Sequence, residues 1–200
     1  KQYKKSQIAL TKALSLRTNH APTYYELGLV LSAEKNFEDA EGFLVKAVEK
    51  EKNNVDYFLA VSKVQVENKK YDSALDYLSK AVKLEPNNTD AVFLMCNTYS
   101  KKRHYTVAIG HCETALKLSP EESDIMNRLA WLYAKKGTKI NLGVELIKKT
   151  LEVYPNRSDY IDTLSELYYA RGDIIEAVKE IRKAITLKPD DSYYKQQLWK

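Results

Sequence analysis

The sequence predicts an all-α fold, a right-handed superhelical solenoid of antiparallel helix hairpins, and three observations carry that expectation. Ala13, Ala47, Ala81 and Ala115 fall 34 residues apart, Thr150 follows after 35 and Ala184 after another 34. A second series of small residues, Ala40, Ala74, Ala108, Gly143 and Ala177, keeps the same spacing in phase with the first. Pro86, Pro120, Pro155 and Pro189 follow with intervals of 34, 35 and 34. One period of this size, sustained along the chain with a single shared insertion, is what stacked helical hairpins leave in a sequence.

Composition agrees with helix. The 200 residues include only 6 Gly and 5 Pro, with 44% hydrophobic and 30% charged residues, so helices are favoured over sheets that need Gly-rich turns. The longest apolar stretches, such as Ala91 to Cys96, are too short to cross a bilayer, and the basic start KQYKK leads into no secretory apolar region. A formal charge of +5, from 32 basic and 27 acidic residues, is a mild excess that implies no specific nucleic-acid partner. Cys96 and Cys112 both sit in apolar helical patterns, which points to no disulfide framework. Such cysteine usage favours the cytoplasm and leaves the periplasm open.

Each period reads as two amphipathic helices separated by turn signals. In the unit 55–88, Val55 to Asn68 carries Phe58, Val61 and Gln65 on one stripe, and Lys69 and Lys70 end the first helix. Tyr71 to Leu84 then carries Ala74, Leu78 and Ala81, and the segment LEPNN stops it, because proline cannot continue a helix. Asp56, Asp90, Asp124 and Asp159 stand at the starts of first helices, where a carboxylate meets the positive end of the helix dipole. Two helices joined by a short turn approach closely only through small side chains. Gly28, Ser62, Cys96, Ala130 and Ser165 are therefore expected opposite the second alanine series.

Complete units are assigned to 21–54, 55–88, 89–122, 123–157 and 158–191, with the extra residue of the fourth near Gly137 to Ile140. Residues 1–20 match only the second helix of a truncated repeat, through Tyr3, Leu10 and Ala13. Residues 192–200 match a partial capping helix, whose Leu198 and Trp199 would cover the last hairpin. A start in mid-repeat is expected of a fragment of a longer protein.

The pattern resembles the tetratricopeptide repeat family, which places W-x2-L-G-x2-Y, then A-x3-F, then P in 34 residues. Here those slots hold Tyr24, Leu27, Gly28, Leu31, Ala40 and Leu44 in the first complete unit, and Ile161, Leu164, Ser165, Tyr168, Ala177, Ile181 and Pro189 in the last. Lys52 departs from the pattern by standing where proline is usual. The resemblance spans essentially the whole chain and implies a protein that binds other proteins. Some members grip a terminal carboxylate with Lys, Asn and Arg from successive first helices. This sequence offers Lys63 and Asn97 but sets Leu94, Asp90 and Asp124 where cations or amides are wanted, so an acidic C-terminal tail is not the expected ligand.

Catalysis finds little support. His20, His104 and His111 belong to no H-E-x-x-H, nucleophile elbow or Walker-type loop, and a metal site from His104, His111 and Cys112 would need a core slot to serve as ligand. Glu121 and Glu122 read as helix-start groups. No enzyme activity, metal or cofactor is expected. Basic residues at the hairpin turns, Lys69 with Lys70, Lys101 with Lys102 and Arg103, Lys135 with Lys136, and Arg171, read first as cations at helix C-termini.

The expected functional surface is the concave face lined by the first helices. Its residues should be Tyr25, Leu29, Leu59, Lys63, Phe93, Asn97, Asn127, Arg128, Trp131, Asp162, Glu166 and Tyr169. Aromatic side chains in such a groove bury large area at low entropy cost, and polar neighbours fix register. The reading is a non-catalytic scaffold or adaptor that holds a peptide or helical segment of a protein partner. The alternatives are a non-catalytic arm of a larger enzyme, or self-association into a homo-oligomer through uncapped repeat ends.

Overall fold

The computed structural model describes residues 20–198. The expectations for residues 1–19 and for Trp199 lie outside the described residues. Among those described every regular element is a helix, and the chain divides between Lys102 and Arg103 into two compact units.

The first unit contains α1 (Ala21–Ala33), α2 (Phe37–Lys50), α3 (Val55–Glu67), α4 (Tyr71–Leu84) and α5 (Thr89–Lys101). Helices α1 and α2 pack as one hairpin and α3 and α4 as the next, with α2 against α3 and α4 against α5. The second unit contains α6 (Tyr105–Leu118), α7 (Ser123–Lys136), α8 (Ile140–Val153), α9 (Ser158–Arg171), α10 (Ile174–Leu187) and α11 (Ser192–Gln197). Its hairpins are α7 with α8 and α9 with α10; α6 packs on α7, α8 and α7 on α9, and α11 on α10.

The small residues do what close approach requires. A Cβ on Gly28 would lie 2.5 Å from Cγ of Leu44 and 3.2 Å from the Ala40 carbonyl oxygen, so α1 and α2 meet at a point where no side chain fits. Ser62 and Ser165 add a hydrogen bond at the same level of their hairpins: Ser62 Oγ lies 3.2 Å from the Ala74 carbonyl, and Ser165 Oγ donates to the Ala177 carbonyl at 2.9 Å. Ala40, Ala74, Ala108 and Ala177 are all buried, as are Leu44, Leu78 and Ile181 one turn further along. Rows of alanine set the helix separation, and rows of leucine and isoleucine fill it.

Cys96 and Cys112 are fully buried and neither is a free thiol. This corrects the expectation of no disulfide framework. Helical patterning reads burial and carries no information about the oxidation state of sulfur.

The hairpin turns share one backbone device. Lys35, Lys69 and Arg103 have φ of 62°, 60° and 61°, and Gly137 and Gly172 take the corresponding places at 68° and 91°. The left-handed residue lets the following N–H reach back five residues, as in Asn36 to Leu31 at 2.9 Å, Lys70 to Gln65 at 2.8 Å, Thr138 to Tyr133 at 3.1 Å and Asp173 to Tyr168 at 2.9 Å. In the turn from Gly137 to Lys139 a second left-handed residue, Lys139 with φ of 48°, precedes α8. At first-helix starts, Asn54 and Asn88 accept from the N–H groups of Tyr57 at 3.3 Å and Ala91 at 2.9 Å.

Most basic residues at the turns are bound within their own unit. Lys70 pairs with Glu41 at 2.9 Å, Lys101 with Glu67 at 3.3 Å, and Lys102 with Asp72. In the second unit Lys135 pairs with Glu166 at 2.8 Å, and Arg171 with Asp173. These ion pairs add to the interaction of the cations with the helix C-termini.

Candidate functional site

The residues expected to line a groove form two series one helical turn apart: Tyr25, Leu59, Phe93, Asn127 and Asp162, then Leu29, Lys63, Asn97, Trp131 and Glu166. Arg128 and Tyr169 flank them. All twelve fall on first helices, α1, α3 and α5 in one unit and α7 and α9 in the other.

In the first unit, Tyr25 is half-buried, its ring centroid 4.8 Å from that of Tyr57. Burial first, then the charges of Asp56 and Glu26, raise the pKa of its phenol, so it acts as a neutral donor. Leu29 is 37% exposed and Lys63 is exposed. Leu59 is only 6% exposed and belongs to the core, so it supports the face from below. Phe93 and Asn97 are half-buried, and Oδ1 of Asn97 is buried with no hydrogen-bond partner.

In the second unit, Trp131 is half-buried and bracketed by cations. The Arg128 guanidinium lies 5.6 Å and the Lys135 ammonium 5.4 Å from its ring centroid, and the Tyr105 ring stands nearly perpendicular to it with centroids 6.1 Å apart. Both cations lie over the electron-rich ring, an attraction that holds it in place. Burial lowers the pKa of Arg128, against the pull of Asp124. Lys135 also reaches Glu166 on α9, so ring, ammonium and carboxylate tie α7 to α9. Oδ1 of Asn127, at the next turn back, is buried without a hydrogen-bond partner.

Asp162, Glu166 and Tyr169 gather at a cavity of about 300 Å³ whose other wall is Ile174, Val178 and Ile181 of α10, closed at the end by Gln197 and Leu198. Asp162 is 6% exposed and Oδ2 accepts from the Tyr193 hydroxyl at 3.1 Å. Burial, then the charge of Asp162 and its hydrogen bond, push the Tyr193 phenol pKa far up, so it remains a donor. Tyr169 is 50% exposed at the mouth. Leu198 packs on the Ile161, Ile181, Ala184 and Tyr194 cluster. The α10 residues escaped a reading confined to first helices; their signal was the pair Ile174 and Ile175 opening α10, apolar side by side and therefore unable to share one buried stripe.

Among the described residues no group of three or more His, Cys, Asp or Glu could hold a metal ion, and no helix is long and apolar enough to cross a membrane.

Comparison with known proteins bears on the fold. The family model for the tetratricopeptide repeat matches residues 55–88 and 159–191. No curated protein sequence matches the chain. Solved structures do. YrrB, described as a tetratricopeptide-repeat protein with an unusual peptide-binding site, is 21% identical, with 94% of this chain and 96% of that one covered at a TM-score of 0.71. MamA from Desulfovibrio magneticus is 19% identical, with 86% and 96% covered and a TM-score of 0.74. PilF of Pseudomonas aeruginosa is 17% identical, with 98% and 88% covered and a TM-score of 0.81. With alanine rows buried between paired helices and the same fold in these structures, the chain has the tetratricopeptide-repeat fold, and two of its segments match the repeat itself.

Proposed function

We propose that the chain is a non-catalytic adaptor that holds an extended or helical segment of a partner protein against its first helices. Proteins of this repeat family are generally interaction scaffolds, and a neighbour of the same fold carries a peptide-binding site. The observation that carries the reading is the pairing of Trp131 with Asn127 one turn away. A ring clamped between Arg128 and Lys135 offers apolar area at low entropy cost, beside a buried amide oxygen that lacks a donor. An unpaired buried acceptor costs about 1–3 kcal/mol, and a peptide N–H would recover it. Phe93 and Asn97 repeat the combination in the first unit.

Crosslinking pull-down from the source lysate tests the proposal. The wild-type chain captures a partner that a folded Phe93→Ala and Trp131→Ala double variant loses; equal retention by both would remove the first-helix face from binding.

A further inference from the structure

We infer that the groove between α6 and α8 binds an amphipathic helix of a partner protein, one that presents aliphatic side chains flanked by a carboxylate. The groove has a volume of about 540 Å³. Leu116 and Pro120 line it from α6 and the segment that follows, Leu142 and Leu146 from α8, and the buried Leu129 and Tyr133 of α7 form its floor. Leu142 is 42% exposed. Repeat register shows that this lining is special to one junction. At the two α8 positions, successive second helices carry Asp39 and Phe43, Ser73 and Tyr77, Val107 and His111, Leu142 and Leu146, then Glu176 and Glu180. Only α8 is aliphatic at both. In α4 the Tyr77 ring packs against Phe58 with centroids 5.9 Å apart, and in α10 Glu180 is buried and paired with Lys183.

Backbone chemistry selects a helix as the occupant. The walls and floor are helices whose main-chain groups bond within themselves, so an extended segment would give up water and gain no main-chain partner. A helix arrives with those bonds already made. The wall from Glu113 to Pro120 runs about 10 Å at the rise of a helix, which matches two turns and side chains at i, i+4 and i+7. Charge selects the flanking residue. The charged residues that line the groove are Glu113, Lys117 and Lys139. Glu113 accepts from Lys139 at 2.6 Å and from the Tyr133 hydroxyl at 2.8 Å, so its charge is matched. Lys117 is exposed beside Leu116, makes no ion pair among the described residues and acts on Glu113 less than Lys139 does. The lining therefore keeps one unmatched positive charge, which an acidic residue on the occupant complements and a basic one does not.

Anisotropy titration of three short fluorescent peptides on the full chain tests the inference. The first is held helical by a lactam bridge, with leucine at i, i+4 and i+7 flanked by glutamate; the second has lysine for glutamate; the third has the first sequence broken by a central proline. At low salt the glutamate helix should bind about fivefold more tightly than the lysine helix and about tenfold more tightly than the broken peptide. Leu142→Glu, which copies the residue at the same position of α10, should weaken it about tenfold. Lys117→Glu changes an exposed side chain, so it reads the groove even where Leu142→Glu fails to fold, and it should reverse the preference between the two helices. Trp131→Ala should leave all three titrations unchanged. No binding of the glutamate helix, equal binding of the broken peptide, undiminished binding by folded Leu142→Glu, a preference that survives Lys117→Glu, or loss of binding with Trp131→Ala would each overturn the inference. The adaptor reading of the first helices is judged apart from it, by the pull-down.

Discussion

At the scale of single residues, four glycines in helices separate two effects that composition merges. Gly28 and Gly143 stand where helices touch; Gly42 and Gly110 stand where an added Cβ meets nothing within 4 Å. Alanine favours an open helix position by about 0.5–1 kcal/mol. Gly42→Ala in α2 and Gly110→Ala in α6 are therefore expected to raise stability by about that amount each. At Gly28 the same change forces Leu44 aside from 2.5 Å and presses on the Ala40 carbonyl, and net destabilisation of about 1–2 kcal/mol is expected. Urea unfolding of the three variants decides the matter; a stabilised Gly28→Ala would mean the hairpin does not close through that residue. Backbone strain gives a second prediction at this scale. Lys69 occupies the left-handed region at φ of 60°, a conformation that costs an L side chain roughly 1 kcal/mol and glycine almost nothing. Lys69→Gly should leave stability equal or raise it by about 0.5 kcal/mol, although glycine at most sites weakens a fold. Gly172→Ala, at φ of 91°, should cost about 1 kcal/mol by the same reasoning in reverse.

At the scale of elements, helices are held in register by polar clusters that reach from one hairpin to the next. Glu41 on α2 accepts from Gln65 at 3.2 Å, Asn68 at 2.9 Å and Lys70 at 2.9 Å, all from the end of α3 or its turn. Burial opposes ionisation of Glu41, and these bonds outweigh it, so its folded pKa lies below the ordinary 4.5. Glu113 is held low by Lys139 first, against burial, and then by the Tyr133 hydroxyl. A carboxylate whose pKa is lower folded than unfolded contributes stability that is complete above its unfolded value and lost as pH falls through the folded one. Unfolding midpoints should accordingly drop as pH falls below about 4.5, and a Glu41→Gln variant should show a shallower drop. Parallel pH profiles for variant and wild type would assign the acid sensitivity elsewhere. This order of elements was readable in advance, since alanine spacing dictates where helices touch and the proline-containing segments dictate where they stop. Less readable was what joins them. Nothing in the sequence says that Lys35, Lys69 and Arg103 adopt a conformation glycine favours, because the turn is imposed by packing on both sides. Nor does the 34-residue series say that Leu59 is buried under its neighbours while Tyr25, at the same position of the preceding repeat, is half-buried. The bracketing of Trp131 depends on rotamers of Arg128 and Lys135 that periodicity does not encode.

At the scale of the whole molecule, the question is whether a chain of net charge +5 acts as a polycation. Binding to a polyanion scales with the cations that can reach phosphate or sulfate together, and each such contact steepens the loss of affinity with salt. Here five of the cations at the turns are engaged singly with carboxylates of their own unit: Lys70 with Glu41, Lys101 with Glu67, Lys102 with Asp72, Lys135 with Glu166 and Lys139 with Glu113. Each pair places a negative charge within 4 Å of the positive one, so the field beyond a Debye length of about 8 Å at physiological salt is that of a dipole. Exposed pairs of this kind contribute only about 0–1 kcal/mol each, so they hold register more than they hold the fold. Two consequences follow together. Retention on heparin should end below roughly 200 mM salt, where proteins with many phosphate contacts remain bound more tightly than a scattered charge allows. If the first-helix face binds as proposed, through Trp131 and apolar contact, partner capture should persist above that concentration. Chromatography and pull-down over one salt series measure both. Heparin retention that outlasts partner capture would move the working surface from the first helices to the basic turns.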